Sequence, residues 1–130
     1  MASIERFSSG GPWEARFGYS RAVRAGDLVL VAGTTAVDED GVVRGIGDAG
    51  AQTAFILDRI EAALAQAGAT LEQVVLTRMF VTDVSRAEEM GRVHGERFGE
   101  HPPASSMIGV DALLDPRMLV EIEAMAYVGE

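Results

Sequence analysis

At 130 residues, with 48% of them hydrophobic, the chain suits one domain around a single core. It has no cysteine, which excludes disulfides, zinc–thiolate sites and thiol nucleophiles. A formal charge of −9 disfavours nucleic acid and other phosphate-rich partners, which need a basic surface.

Residues 1–13 are rich in Ser and Gly and are expected to be loosely held as far as Trp13. Residues 16–23 fit a short strand. Asp27 to Gly33 is an apolar run that reads as a central strand, and Asp38-Glu39-Asp40-Gly41 is a turn signal. Gln52 to Ala67 has helical periodicity, with Phe55, Ile56, Ile60, Ala63, Leu64 and Ala67 in its apolar stripe and Gly68 as its stop. Gln73 to Thr82 predicts a strand. Asp83 to Phe98 predicts a helix, with Ser85 and Glu88 at the spacing of a capping box. After Pro102-Pro103, residues 105–110 and 119–128 predict two closing strands. No repeat or linker divides the chain, so residues 1–130 are expected to be one domain. No signal-peptide pattern begins it, and its apolar runs are too short to span a bilayer. A cytoplasmic protein with no membrane partner is the expectation.

The last strand is the most informative. Met118, Val120, Ile122, Ala124, Ala126 and Val128 alternate onto one face, and Leu119, Glu121, Glu123, Met125 and Tyr127 onto the other. Two carboxylates among apolar neighbours suit an interface or a small polar pocket, where a carboxylate is a candidate acid or base. Two helices cover only one face of such a sheet. The other face, being partly apolar, predicts oligomerisation.

Gly18 to Val23, Gly26 to Gly33, Gln52-Thr53, Phe80 to Asp83, Pro103-Ala104 and Val120 to Ala124 together resemble the Rid proteins. These are also called the YjgF family, reactive-intermediate deaminases or L-PSP-like proteins. The resemblance runs from Tyr19 to Val128. It implies a chorismate-mutase-like α/β (α+β) domain, a mixed sheet with two helices on one face, and a homotrimer around a β-barrel-like core with sites between subunits. It also implies hydrolysis of enamine and imine intermediates, such as 2-aminoacrylate, to 2-keto acids and ammonia.

The resemblance assigns roles residue by residue. Glu121 matches the glutamate tied to the catalytic water, Tyr19 a tyrosine lining the cleft, and Gly33 a glycine whose backbone approaches the ligand. Deaminating members read Pro-Ala-Arg-Ser where this chain reads Pro103-Ala104-Ser105-Ser106. Ser105 therefore stands where an arginine would grip the substrate carboxylate, and losing such a charged bond costs about 1.5–3 kcal/mol. The family's asparagine in the second helix is replaced by Gly91. Ser105 remains a candidate binder of a neutral group, but without a recognisable base in sequence it is not a nucleophile. Arg117 is the candidate replacement, with Arg21 and Arg24 as alternatives. His94 reads as a packing residue more than a catalyst. Glu123, about 7 Å from Glu121 along the strand, reads as an ion-pair partner. There is no dinucleotide or Walker motif and no metal-ligand spacing, so neither a cofactor nor a metal is expected. Two function classes follow. One is an imine or enamine hydrolase using Glu121 and water, on a substrate other than a simple 2-imino acid. The other is a trimeric small-metabolite-binding protein without turnover.

Overall fold

The computed structural model describes residues 3–130. The order is β1 (Ile4–Phe7), α1 (Pro12–Phe17), β2 (Ala22–Ala25), β3 (Leu28–Thr34), α2 (Ala49–Gln66), β4 (Val74–Val81), α3 (Ala87–Phe98), β5 (Ala104–Gly109) and β6 (Val120–Tyr127). One mixed sheet has the strand order β1-β2-β3-β6-β4-β5. All its pairings are antiparallel except β4 with β5, which α3 connects as a crossover.

Strand β6 lies between β3 and β4, so the last segment of the chain is central to the sheet. Its alternation is the predicted one. Val120, Ile122, Ala124 and Ala126 are buried, and Ile56, Leu57, Ile60 and Leu64 of α2 are buried in the same core cluster. The other face keeps Leu28, Leu30, Ile108 and Tyr127 between 39% and 46% exposed, an open surface that is only partly polar. Helix α2 begins at Asp48, whose carboxylate accepts from Ala51 N at 2.9 Å, one turn earlier than the apolar periodicity predicts.

The chain departs from expectation at its start. The Ser/Gly-rich segment, expected to be loosely held, contributes β1 to the sheet edge and opens helix α1 with Pro12. Met1 and Ala2 lie outside the described residues. The expected strand over residues 16–23 is displaced: α1 runs to Phe17, Gly18 ends it in the left-handed conformation, and extended structure resumes only at Ala22. The cause is Glu14. It is 5% exposed and accepts from Ser8 Oγ at 2.8 Å, Ser9 N at 3.1 Å and the Ser9 hydroxyl, and it pairs with Arg21. A segment whose hydroxyls and amides wrap a buried carboxylate is not free to wander. The Ser85–Glu88 capping box also does not form. Asp83 takes the cap, accepting from Ser85 N at 3.0 Å and Ser85 Oγ at 2.6 Å, and one 3-10 turn precedes α3.

Gln52 positions the active strand. Fully buried in α2, it donates to Arg117 O at 2.8 Å and accepts from Leu119 N at 2.8 Å, which fixes the entry to β6.

Candidate active site

A cavity of about 280 Å³ opens where the end of β3, the start of β6, α1 and the loops after β3 and before β6 converge. This volume is on the scale of small-molecule sites. Tyr19, Gly33 and Glu121, separate in sequence, all line it. Glu121 comes from the open face of β6. Its carboxylate lies so close to Gly33 that a Cβ there would stand 2.7 Å from Glu121 Oε2 and 2.9 Å from Cδ. Only glycine at 33 leaves that place for the carboxylate. Glu121 makes no ion pair or side-chain hydrogen bond among the described residues. Burial and then the neighbouring Glu123 push its carboxyl above the ordinary glutamate value, against the opposing pull of Arg21.

The cavity floor holds charged groups that sequence reasoning did not put together. Arg21 is 6% exposed and is held from every side. Its Nε donates to Glu14 Oε2 at 3.3 Å, its Nη1 to Gly33 O and Thr34 Oγ1 at 2.9 Å, and its Nη2 approaches Tyr19 Oη at 3.4 Å. Burial alone would raise the Glu14 carboxyl, but hydrogen bonds from Ser9, Ser8 and Arg21 outweigh it and hold it below the usual value. Arg59 reaches the same cavity from α2 and donates through Nη1 to Thr35 O at 2.7 Å. The signal for Arg59 was a charged residue set directly before Ile60 and four residues before Ala63, against the apolar stripe.

Ser105 and Arg117 are not brought to Glu121 within one protomer. Thr77 pairs with both Ser105 and Ala124, so Ser105 shares the helix-covered face, whereas Glu121 pairs with Phe80 on the open face. Ser105 Oγ accepts from Thr77 Oγ1 at 2.8 Å, and Thr77 Oγ1 lies 2.9 Å from His94 Nε2. Burial pushes the His94 imidazole below its ordinary value. Arg117 is exposed and spends its guanidinium on Asp115 at 2.9 and 2.7 Å, which lowers the Asp115 carboxyl to about 2. Arg24 caps the end of α2 through Ala67 O at 3.0 Å. Of the alternatives to the absent arginine, only Arg21 lines the cavity. No helix is long and apolar enough to cross a membrane, and no group of three or more possible ligands could hold a metal, both among the described residues.

The geometry defines a small α+β protein with one half-buried acid in a cavity that two arginines also line. The chain belongs to the family described as Endoribonuclease L-PSP, whose profile matches residues 12–128; this is the YjgF/Rid family. It is 39% identical to an uncharacterized protein of Streptomyces coelicolor, over 98% of this chain and 94% of that one. It is 34% identical to a protein of Acinetobacter baylyi named 3-aminoacrylate deaminase RutC, over 85% of this chain and 86% of that one. Among solved structures, a YjgF/YER057c/UK114 family member from Mycobacterium tuberculosis superposes with a TM-score of 0.88 at 53% identity, covering 97% of this chain and 100% of that one.

Proposed function

We propose that the protein hydrolyses a small imine or enamine, with Glu121 positioning the attacking water and carrying the proton. The carrying observation is the Glu121 carboxyl, pressed against Gly33, opening on the cavity and paired with no cation. Water adds to the C=N carbon and gives a proton to the carboxylate. The protonated Glu121 then gives that proton to nitrogen, the regenerated carboxylate takes the carbinolamine hydroxyl proton as the C–N bond breaks, and a carbonyl compound and ammonia leave. An enamine first takes a proton at carbon to become the imine. A raised carboxyl suits an acid–base group that must hold the proton between the two steps. Kinship with a deaminase of 3-aminoacrylate supports an enamine or imine as the reacting group.

The working form is a homotrimer. The partly apolar open face supports this, since burying Leu28, Leu30, Ile108 and Tyr127 against other copies removes them from water. A neighbour could also complete the cavity with residues one protomer lacks. We place the protein in the cytoplasm, in keeping with its lack of cysteine. Because Ser105 replaces the arginine of the deaminating members, the substrate is one other than a simple 2-imino acid held from that position.

The test is release of carbonyl product from amino-acid imines and enamines made in situ by an oxidase, across the wild type, Glu121→Gln and Ser105→Arg. Acceleration by the wild type and none by Glu121→Gln supports the reading. Saturable binding with no turnover in any variant would leave a trimeric metabolite-binding protein instead.

A further inference from the structure

The cavity holds one arginine that has no ion pair among the described residues. Arg21 and Arg59 both line it, and Glu14 is the buried carboxylate that answers them. Glu14 is committed to Arg21 at 3.3 Å. Arg59 forms no ion pair among the described residues, and its one hydrogen bond goes to the Thr35 carbonyl at 2.7 Å. No buried side-chain nitrogen among the described residues lacks a partner, so the remaining N–H groups of Arg59 are open to the space the residue lines. Burial, and then repulsion from Arg21, lower the Arg59 guanidinium below its ordinary value, with Glu14 and Tyr19 opposing. A desolvated guanidinium beside a second one is stabilised by an anion.

The other charges around the cavity do not supply it. Glu121 forms no ion pair among the described residues and is not among the charges that act on the Arg59 guanidinium. Asp38 at the rim is spent on its own turn, accepting from Asp40 N, Val42 N and Arg44 Nη1. Glu39 is exposed. Arg21 cannot serve as the anchor, since its Nε and Nη1 are bonded within the fold and its Nη2 faces Tyr19. Part of the lining is apolar: Trp13, which stacks on Phe17 with ring centroids 5.4 Å apart, lines the cavity together with Leu114 and Met118.

We propose that Arg59 is the anion anchor of the cavity, and that the occupant is a small carboxylate bearing an apolar side chain. The carboxylate meets the open edge of the Arg59 guanidinium, and the side chain lies along Trp13, Leu114 and Met118. The proposal deepens the hydrolase reading and rests on it only in taking this cavity as the reacting site. It moves the anchor from the Ser105 position on β5 to the middle of α2, which changes where the carboxylate sits relative to the reacting carbon. That change fits a preference for something other than a simple 2-imino acid.

Trp13 is the single tryptophan of the chain and lines the cavity, so its fluorescence reports occupancy without any turnover. The probes are 4-methylpentanoate, its amide and acetate, titrated into wild type, Arg59→Gln, Arg59→Lys and a surface control, Arg92→Gln. We expect saturable binding of 4-methylpentanoate to the wild type, with the amide at least tenfold weaker, as loss of a charged hydrogen bond requires. Acetate, lacking the side chain, also binds more weakly. Arg59→Gln, which keeps a donor for Thr35 O, loses the preference for acid over amide; Arg59→Lys retains part of it, and Arg92→Gln all of it. Equal binding of acid and amide, no binding of either, or an unchanged preference in Arg59→Gln would each overturn the proposal. Acid-selective binding that depends on Arg59, without hydrolysis of any imine, would uphold the anchor and sink the hydrolase reading. Imine hydrolysis indifferent to Arg59→Gln would do the reverse.

Discussion

Two carboxylates two residues apart on β6 have opposite surroundings. Glu123 meets Arg78 of β4 at 2.7 Å, with both side chains at least a third exposed. Glu121 meets the bare backbone of Gly33 and a cavity, with no cation bonded to it. The strand and the face are the same. What differs is the neighbour: an arginine neutralises one acid, and a glycine makes room for the other while leaving its charge unanswered. An acid in the second setting costs stability when ionised and is available for proton transfer.

The largest effect expected from breaking this contrast is that of Glu121→Gln. Turnover should fall by about 10²–10⁴-fold, the usual contribution of a positioned acid–base group. Stability should move the other way. A carboxyl raised in the folded state stabilises the fold below its unfolded value and loses that contribution as pH rises through the folded one. At neutral pH the wild type therefore carries a penalty that glutamine removes, and Tm by calorimetry should rise. A variant that is less active and also less stable at pH 7 would contradict the account of Glu121 as an unneutralised acid.

Next in size is Arg21→Met. The substitution strands Glu14, which is 5% exposed, without its cation, and breaking a buried pair on one side costs about 3–5 kcal/mol. Urea unfolding should show a loss of that order, against about 0–1 kcal/mol for Arg78→Met, which breaks the exposed pair. Equal losses would mean that the Ser8 and Ser9 bonds alone satisfy Glu14.

Gly33→Ala tests the other half of the contrast. The added Cβ meets the end of the Glu121 side chain, which can swing away, so the fold should survive with native-like Tm. The carboxylate is displaced, and a misplacement of about 1 Å can cost on the order of 10²-fold in rate. Full activity in Gly33→Ala would mean that the carboxylate acts from another position.

These residues also mark what the sequence could reveal. The alternation over 118–128 fixed which face of β6 is buried, and with it the side on which Glu121 stands, because strand periodicity is local. Tyr19, Gly33 and Glu121 were legible through family resemblance, and the structure brings them to one cavity. The charged floor was not legible. Glu14 sat in a stretch whose Ser and Gly composition signals a loose chain, and that composition gives no hint that the hydroxyls wrap a carboxylate. Arg59 was hidden inside a helix that reads as core. Ser105 was matched by sequence position and Arg117 named as a candidate replacement for the absent arginine, but sequence position does not tell which face of the sheet Ser105 shares within the chain or that Asp115 holds the Arg117 guanidinium.

The smallest and sharpest effect is that of Glu123→Gln. Glu123 is tied to Arg78 on the surface, so its removal should cost about 0–1 kcal/mol of stability. It nevertheless acts on Glu121 through space, as the second cause, after burial, of the raised carboxyl. Replacing it with glutamine removes a like charge and leaves Arg78 unneutralised nearby, and both changes favour the ionised form of Glu121. If turnover requires the Glu121 carboxylate, activity falls as pH drops through its folded value, and Glu123→Gln should move that acid limb to lower pH while leaving the plateau rate near that of the wild type. An acid limb that stays in place or moves upward would mean that the two carboxylates do not communicate. The contrast on β6 would then be one of packing alone, with burial by itself holding the Glu121 proton.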